Sequence, residues 1–300
     1  MPRHFLTLKD LSRPELLALL EDAIALKAGA ARGQTDDSLS GKVLAMIFEK
    51  SSTRTRVAFE TAMAQLGGHA LFLSAADSQL GRGEPVEDTA RVLAKMVDVV
   101  MIRTFSHDTL QAYAACSDIP VINGLSDGYH PCQLLADIQT YMEHRGDIKG
   151  KKVAWFGDGN NVCHSWINAA DLLQFELVIA GPAAYQPDPA IVAAGNGVSL
   201  SEDPVAAATG ADLLVTDVWT SMGQEDEAAA RQAAFAPFQV NAALLQHAAA
   251  DALFMHCLPA HRDEEVTAEV LEGPQSVVWD EAGNRLHAQK ALLRFLLGQG

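Results

Sequence analysis

Residues Ser51-Ser52-Thr53-Arg54-Thr55-Arg56 place four hydroxyls and two guanidinium groups where one hydrophobic pattern gives way to another. The apolar run from Lys42 to Phe48 reads as a strand. After it, Val57, Phe59, Ala62, Met63 and Leu66 recur at helical spacing until Gly67-Gly68. The free backbone N–H groups at a helix start carry about half a positive charge. Hydroxyls and arginines added to them make an anion site, most naturally for phosphate. The plain alternative is an N-cap with solvated arginines, since caps favour Ser and Thr.

Other strand ends carry reactive groups too. The buried-type run Val97 to Ile102 emerges at Arg103-Thr104, and ligands of open α/β sheets bind at the carboxyl ends of strands. A rim arginine in water is the alternative there. His130-Pro131-Cys132-Gln133 opens a helical pattern running to about Arg145. Asp217 and Ser221 flank a further strand end, where a carboxylate and a hydroxyl can hold an ammonium group or merely cap a turn. His256-Cys257-Leu258-Pro259 ends another strand.

Gly157-Asp158-Gly159-Asn160-Asn161 invites a dinucleotide reading, but the third glycine of that fingerprint would fall at Val162. The next strand ends in Ala180-Gly181-Pro182, without an acid for a ribose. The other reading is a tight turn that presents Asn161 at a helix start, suited to a carboxylate. His256, Cys257 and His261 match no common zinc spacing, so no metal and no cofactor are expected. Cys257 as a nucleophile with His130 as base, or as a buried strand-end thiol, are further readings.

The elements that position these groups alternate. Strands are expected at 42–48, 69–74, 97–102, 119–123, 153–156, 176–180, 211–219, 252–258 and 276–280, with helices at 10–27, 88–96, 130–145, 161–174 and 284–297. Repeated β-then-α units imply an α/β fold of two domains, each a parallel β-sheet flanked by helices. Gly146 and Gly150 mark the junction, giving domains of 1–145 and 146–283. The polar, Gly-rich stretch Asp77 to Pro85 is a loop that can be plain surface or reach a neighbouring subunit.

Three hundred residues suit two domains, and a hydrophobic share of 49% supplies their cores. A formal charge of −16 argues against a nucleic-acid or anionic-membrane partner. A local cluster such as Arg54, Arg56 and Arg103 can still attract a small anion. The four cysteines form no CxxC pair, and the first ten residues lack the apolar core of a signal peptide. No uncharged apolar run reaches the ~18 residues of a membrane span. A cytoplasmic protein is expected.

In order along the chain, Ser-Thr-Arg-Thr-Arg, the Gln79 loop, Arg103, His-Pro-Cys-Gln, Gly-Asp-Gly-Asn-Asn, Asp-Val-Trp-Thr-Ser-Met-Gly-Gln-Glu, His-Cys-Leu-Pro and Glu281-Ala-Gly-Asn-Arg285 closely resemble the aspartate/ornithine carbamoyltransferase family, its ornithine-using members above all. Cys132 stands where Thr or Ile is common. The resemblance implies carbamoyl phosphate and L-ornithine as substrates, citrulline and phosphate as products, and arginine metabolism as the setting. It implies a homotrimer with Gln79 reaching across a subunit boundary, and a terminal helix, 284–300, folded back on the first domain. Carbamoyl phosphate would be held by Ser52, Thr53, Arg54, Thr55, Gln79, Arg103, His130, Gln133, Cys257, Leu258 and Arg285, and the catalytic residues would be Arg103, His130, Cys257 and Asp217, with Thr55, Arg103 and His130 facing the carbonyl oxygen and Cys257 beside the δ-amine. Asn161 and the Met222 N–H would take the α-carboxylate of ornithine, and Asp217 and Ser221 its α-ammonium. Aspartate and N-acetylornithine fit Asp217 worse, the first as a dicarboxylate and the second for want of an α-ammonium. A nicotinamide-dependent oxidoreductase and a non-catalytic amino-acid binder are the readings from other classes.

Overall fold

Strands such as Val43–Phe48 (VLAMIF) and Val99–Arg103 (VVMIR), apolar throughout or until their last residue, need cover on both faces, and parallel sheets between helices provide it. The computed structural model describes residues 2–74, 83–221 and 225–298. The chain divides into two compact units, Met1–Gln139 with Gly283–Gly300, and Thr140–Ala282.

In the first unit the strands are β1 (Val43–Phe48), β2 (His69–Ser74), β3 (Val99–Arg103) and β4 (Val121–Leu125), in the order β2-β1-β3-β4. All pair in parallel. Helix α1 (Arg13–Ala31) precedes them, and α2 (Thr53–Gln65), α3 (Val86–Leu93), α4 (His107–Ala115) and α5 (Pro131–Arg145) follow the four strands in turn. The second unit orders β5 (Lys152–Phe156), β6 (Glu176–Ala180), β7 (Val198–Ser201), β8 (Leu213–Thr216) and β9 (Leu253–His256) as β7-β6-β5-β8-β9, again all parallel. Its helices include α6 (Asn161–Leu173), the short α7 (Pro189–Ala193) and α8 (Pro204–Ala208), α9 (Ala228–Phe235), and the short α10 (Ala242–Leu245) and α11 (Ala268–Leu271). The long α12 (Val278–Leu296) ends the chain. The expected α/β class with two parallel sheets flanked by helices is what the chain adopts.

Both sheets change direction at one place. In the first, the chain builds outward from β1 to β2, then returns to the other side of β1 with β3. In the second, it builds from β5 through β6 to β7, then returns beside β5 with β8. Such a reversal leaves a crevice at the carboxyl ends of the two central strands.

The last helix packs on the first unit. Arg294 meets Asp22 of α1 at 3.1 Å, and Lys290 donates to Gln65 of α2 at 3.3 Å. Among the described residues no helix is long and apolar enough to cross a membrane.

Several expectations are corrected. Val57 is 56% exposed, while Phe59, Ala62, Met63 and Leu66 are fully buried. Residues 57 and 59 are two apart and face different ways on a helix, so only one of them joins the core stripe. The strand expected at 276–280 is a single bridge, Phe254 to Ser276, and Val278 already begins α12. Two valines and a tryptophan imitate a strand there, but Asp280 and Glu281 supply the acidic first turn of a helix. Arg285 therefore lies well inside α12 rather than at its start. Helix α4 and strand β7 were not read from the sequence. The strands expected at 211–219 and 252–258 are shorter, which frees Asp217 and Cys257 onto loops.

Candidate active site

The first crevice begins where β1 ends. Phe48 is paired with Arg103 across β1 and β3, and the Glu49 N–H donates to the Arg103 carbonyl at 2.8 Å. The loop that follows β1 is thereby bound to the end of β3. Thr104 adds a hydroxyl bond to the Glu49 carboxylate. Lys50 is buried, pairs with Asp127 at 2.5 Å and lies 4.0 Å over the Phe105 ring. Both charges of Glu49-Lys50 are thus spent on bracing the loop.

Ser52 is the N-cap of α2, accepting from the Thr55 N–H at 3.3 Å. Thr53 is exposed at the first helical position and Arg54 half-buried at the second. Thr55 is fully buried. Its Oγ1 accepts from the Ser52 hydroxyl and from Arg285, both at 3.1 Å. Those two bonds occupy the oxygen's lone pairs and leave the Thr55 O–H as a donor. Arg285, also buried, donates through its other nitrogen to Gln133 Oε1 at 2.6 Å, and Gln133 Nε2 donates to Asp137 at 2.8 Å. Helix α12 thus delivers a cation to residues 230 and 152 positions away.

His130, at the start of α5, is buried, and its pKa is held well below the usual 6.5. Burial is the main cause, followed by the positive charges of Arg285, Arg103 and Arg54. The imidazole is therefore neutral and keeps one N–H to donate among three guanidiniums. The arrangement can bind an anion and stabilise negative charge that grows on an adjacent oxygen. Gln79 lies outside the described residues.

The second crevice is built alike with other chemistry. Phe156, Thr216 and His256 stand side by side as the last residues of β5, β8 and β9. Gly157, Asp217 and Cys257 follow them in turn. Gly157 has φ 131°, and a Cβ on Gly159 would lie 2.1 Å from the nitrogen of Pro187. Only glycine serves at either place. Asn160 caps α6, its Oδ1 accepting from the Val162 and Cys163 N–H groups. Its Nδ2 donates to Asp217 at 2.8 Å. Asn161 follows as the first helical residue, half-buried.

Asp217 is 8% exposed and accepts from the Val218 N–H at 2.8 Å and the Cys257 thiol at 3.1 Å. Ser221 is half-buried four residues further on, and Met222 lies outside the described residues. Leu258 is half-buried with φ 58°. Donor atoms of Asp217, His256 and Cys257 lie within 4.8 Å of one another. Both ring nitrogens of His256 are already engaged, with the Leu258 N–H and with Glu265, which leaves that ring no lone pair for an ion.

Residues 3–143 match the domain described as "Aspartate/ornithine carbamoyltransferase, carbamoyl-P binding domain", and residues 149–296 match the family's "Asp/Orn binding domain". The chain belongs to the aspartate/ornithine carbamoyltransferase family. Within that family it is 64% identical over 297 residues to an ornithine carbamoyltransferase of Methylococcus capsulatus, covering 99% of each chain. It is 58% identical to an anabolic ornithine carbamoyltransferase of Pseudomonas savastanoi, covering 98% of this chain and 97% of that one. The solved ornithine carbamoyltransferase of Pyrococcus furiosus superposes with a TM-score of 0.95 at 51% identity, over 99% of this chain and 97% of that one.

This carbamoyltransferase holds groups that sequence reasoning did not single out. Asn160 is one, through the bond from its Nδ2 to Asp217. Arg231 of α9 is buried and forms an ion pair with Asp158 after β5. It also donates to the Trp219 carbonyl after β8 at 2.6 Å, and lies 4.7 Å over the Tyr185 ring. It ties together the two loops that carry Asn161 and Asp217. Burial lifts the Asp158 carboxyl to about 6, with Arg231 opposing and Asp217 adding to the rise. Helical spacing could not have found Arg231, because an alanine-rich helix with one arginine reads as a solvated helix.

Proposed function

We propose that this protein transfers the carbamoyl group of carbamoyl phosphate to the δ-amine of L-ornithine, giving L-citrulline and phosphate in the direction of arginine biosynthesis. The observation that carries this reading is the meeting of Thr55, Gln133, His130 and Arg285 in one buried, donor-rich cluster beside Arg54 and Arg103. The phosphate is assigned to Ser52, Thr53, Arg54 and Thr55, where each charged hydrogen bond contributes about 1.5–3 kcal/mol. Thr55, Arg103 and His130 are assigned to the carbonyl oxygen. Gln133 and the Leu258 carbonyl hold the carbamoyl NH2, with Arg285 also on carbamoyl phosphate.

The uncharged δ-amine attacks the carbonyl carbon and forms the C–N bond. The carbonyl oxygen carries negative charge in the tetrahedral intermediate, and donors set beforehand around it lower the barrier. The C–O bond to phosphate then breaks, phosphate departs with the bonding pair, and the proton released by the attacking nitrogen passes to the departing phosphate, to Cys257 or to Asp217. Asn161 and the Met222 N–H receive the α-carboxylate of ornithine, Asp217 and Ser221 its α-ammonium, and Cys257 adjoins the δ-amine. The buried Asp217 carboxylate favours ornithine over aspartate, which would add a second negative charge, and over N-acetylornithine, which lacks the ammonium.

A homotrimer with Gln79 supplied across the subunit boundary belongs to the same reading. The support is an apolar sheet edge: β2 is the outer strand, with Leu71 47% and Phe72 39% exposed, and Val57 exposed on α2. An uncovered apolar edge strand invites a partner. The chain leaves this edge directly into residues 75–82, which contain Gln79. A cytoplasmic location is likewise assigned, in keeping with four free cysteines.

Colorimetric citrulline formation tests the reading. Carbamoyl phosphate is expected to give citrulline with ornithine, and no N-acetylcitrulline with N-acetylornithine or N-carbamoylaspartate with aspartate; carbamoylation of either alternative at a comparable kcat/KM would overturn it. Mixing the inactive variants Arg54→Ala and Gln79→Ala is expected to restore part of the activity through shared sites. Failure to recover any would remove the cross-subunit assignment.

A further inference from the structure

The turn after β9 carries Cys257 and Leu258, and its geometry depends on a buried pair that the reaction itself does not use. His256 is fully buried. Its Nδ1 lies 2.8 Å from the backbone nitrogen of Leu258. A backbone N–H can only donate, so Nδ1 is the acceptor and the ring proton sits on Nε2. Nε2 faces Glu265 Oε1 at 3.1 Å.

Glu265 is also fully buried, and the same Oε1 accepts from the His261 N–H at 2.6 Å. One carboxylate oxygen thus holds the imidazole at the start of the turn and the backbone at its far end. The other oxygen has no hydrogen-bond partner among the described residues. The backbone N–H of His256 is fixed separately by Glu281 at 2.9 Å.

The reason for such bracing is local. Leu258 has φ 58°, a left-handed conformation that leucine does not favour. It persists where surrounding groups over-determine it. The bond from its N–H to His256 fixes the Cys257–Leu258 peptide plane, the link between the α-carbon that bears the Cys257 thiol and the α-carbon from which the Leu258 carbonyl departs. Cys257 Sγ then reaches Asp217 at 3.1 Å.

We propose that His256, locked by Glu265 as the Nε2–H tautomer, is the positioning residue for the Cys257–Leu258 turn, so that it governs the carbamoyl-transfer step without touching substrate. The proposal rests on the functional reading above. The lock demands one tautomer and one acceptor position, which a simple packing role does not.

Two isosteric replacements separate the roles. His256→Asn keeps an acceptor near the place of Nδ1, and His256→Gln keeps a donor near the place of Nε2 but leaves the Leu258 N–H unmet. His256→Gln is expected to lower kcat for citrulline formation by about 100-fold, the scale of a misplacement of roughly 1 Å at a reacting centre. His256→Asn should stay within about tenfold of the parent, with both KM values shifted less than about threefold in either variant.

Ring 15N spectra of the intact, labelled protein, with His256 assigned by comparison with His256→Asn, should show an unprotonated Nδ1 and a protonated Nε2. A protonated Nδ1 overturns the proposal, whatever the kinetics of the variants. So does equal loss of kcat in the two variants in step with equal loss of thermal stability. Absence of citrulline with the parent protein would instead defeat the functional reading and leave the tautomer measurement standing.

Discussion

The two crevices are built on one plan and filled with opposite chemistry. Each lies where a parallel sheet reverses direction, between β1 and β3 in one unit and between β5 and β8 in the other. Each takes its first functional residues from the loop between a central strand and a helix capped by its own side chain, Ser52 in one case and Asn160 in the other. The first then gathers guanidiniums around a neutral His130. The second surrounds the Asp217 carboxylate with an amide, a backbone N–H and a thiol, and gives its buried arginine to Asp158 instead. The backbone supplies positions, and the side chains placed there decide whether a site prefers an anion or a cation.

The largest effect is expected from the second unit's ion pair. Arg231→Leu leaves Asp158 buried beside Asp217 with no cation and should cost about 3–5 kcal/mol of stability, as breaking one side of a buried pair does. Denaturant unfolding measures it. A loss under about 1 kcal/mol would mean that the pair does not brace the two loops.

Next comes Arg103→Ala in the first unit. Removing a donor aimed at a developing oxyanion should lower kcat by about 100- to 1,000-fold with the fold preserved. Steady-state rates alongside circular dichroism test this, and a near-normal kcat would take Arg103 out of the reacting centre.

Asp217→Asn sharpens the contrast in charge. It should reduce kcat/KM for ornithine by roughly 10- to 150-fold, the value of one charged hydrogen bond of about 1.5–3 kcal/mol. The KM for carbamoyl phosphate should change far less. If both substrates weaken equally, the assignment of one charge preference to each unit fails.

The smallest effect is a pH dependence of stability from His130. In the folded protein it titrates well below 6.5, mainly through burial and then through Arg285, Arg103 and Arg54, whereas in the unfolded chain it titrates near 6.5. Below 6.5 the unfolded chain therefore binds more protons than the folded one. The contribution is complete above pH 6.5 and is lost as pH falls, by at most about 1.4 kcal/mol per pH unit. His130→Gln should flatten that part of the stability curve. An unchanged slope would place His130 in a more solvated setting than its burial describes.

Much of the fold was legible because its signals are local. β1, β6 and the start of α5 lie where apolar runs and capping residues put them, and Ser52 and Asn160 close their helices through bonds spanning three residues or fewer. Where the reading failed, a local signal was ambiguous. Val277, Val278 and Trp279 look like a strand until Asp280 and Glu281 are read as the acidic first turn of α12. Val57 looked like core because its neighbours are.

From the chain alone came the alternation of strands and helices, the candidate anion loop at 51–56, and the carboxylate expected to meet an ammonium group at 217. All three depend on residue types within a few positions of one another. Tertiary structure alone decided that Arg285 reaches Thr55 and Gln133, that Arg231 binds Asp158 and Trp219, and that Glu265 holds His256. A charged residue on a helix reads the same whether it faces water or a buried partner. Only folding brings the partner within reach and removes the water that would otherwise solvate it.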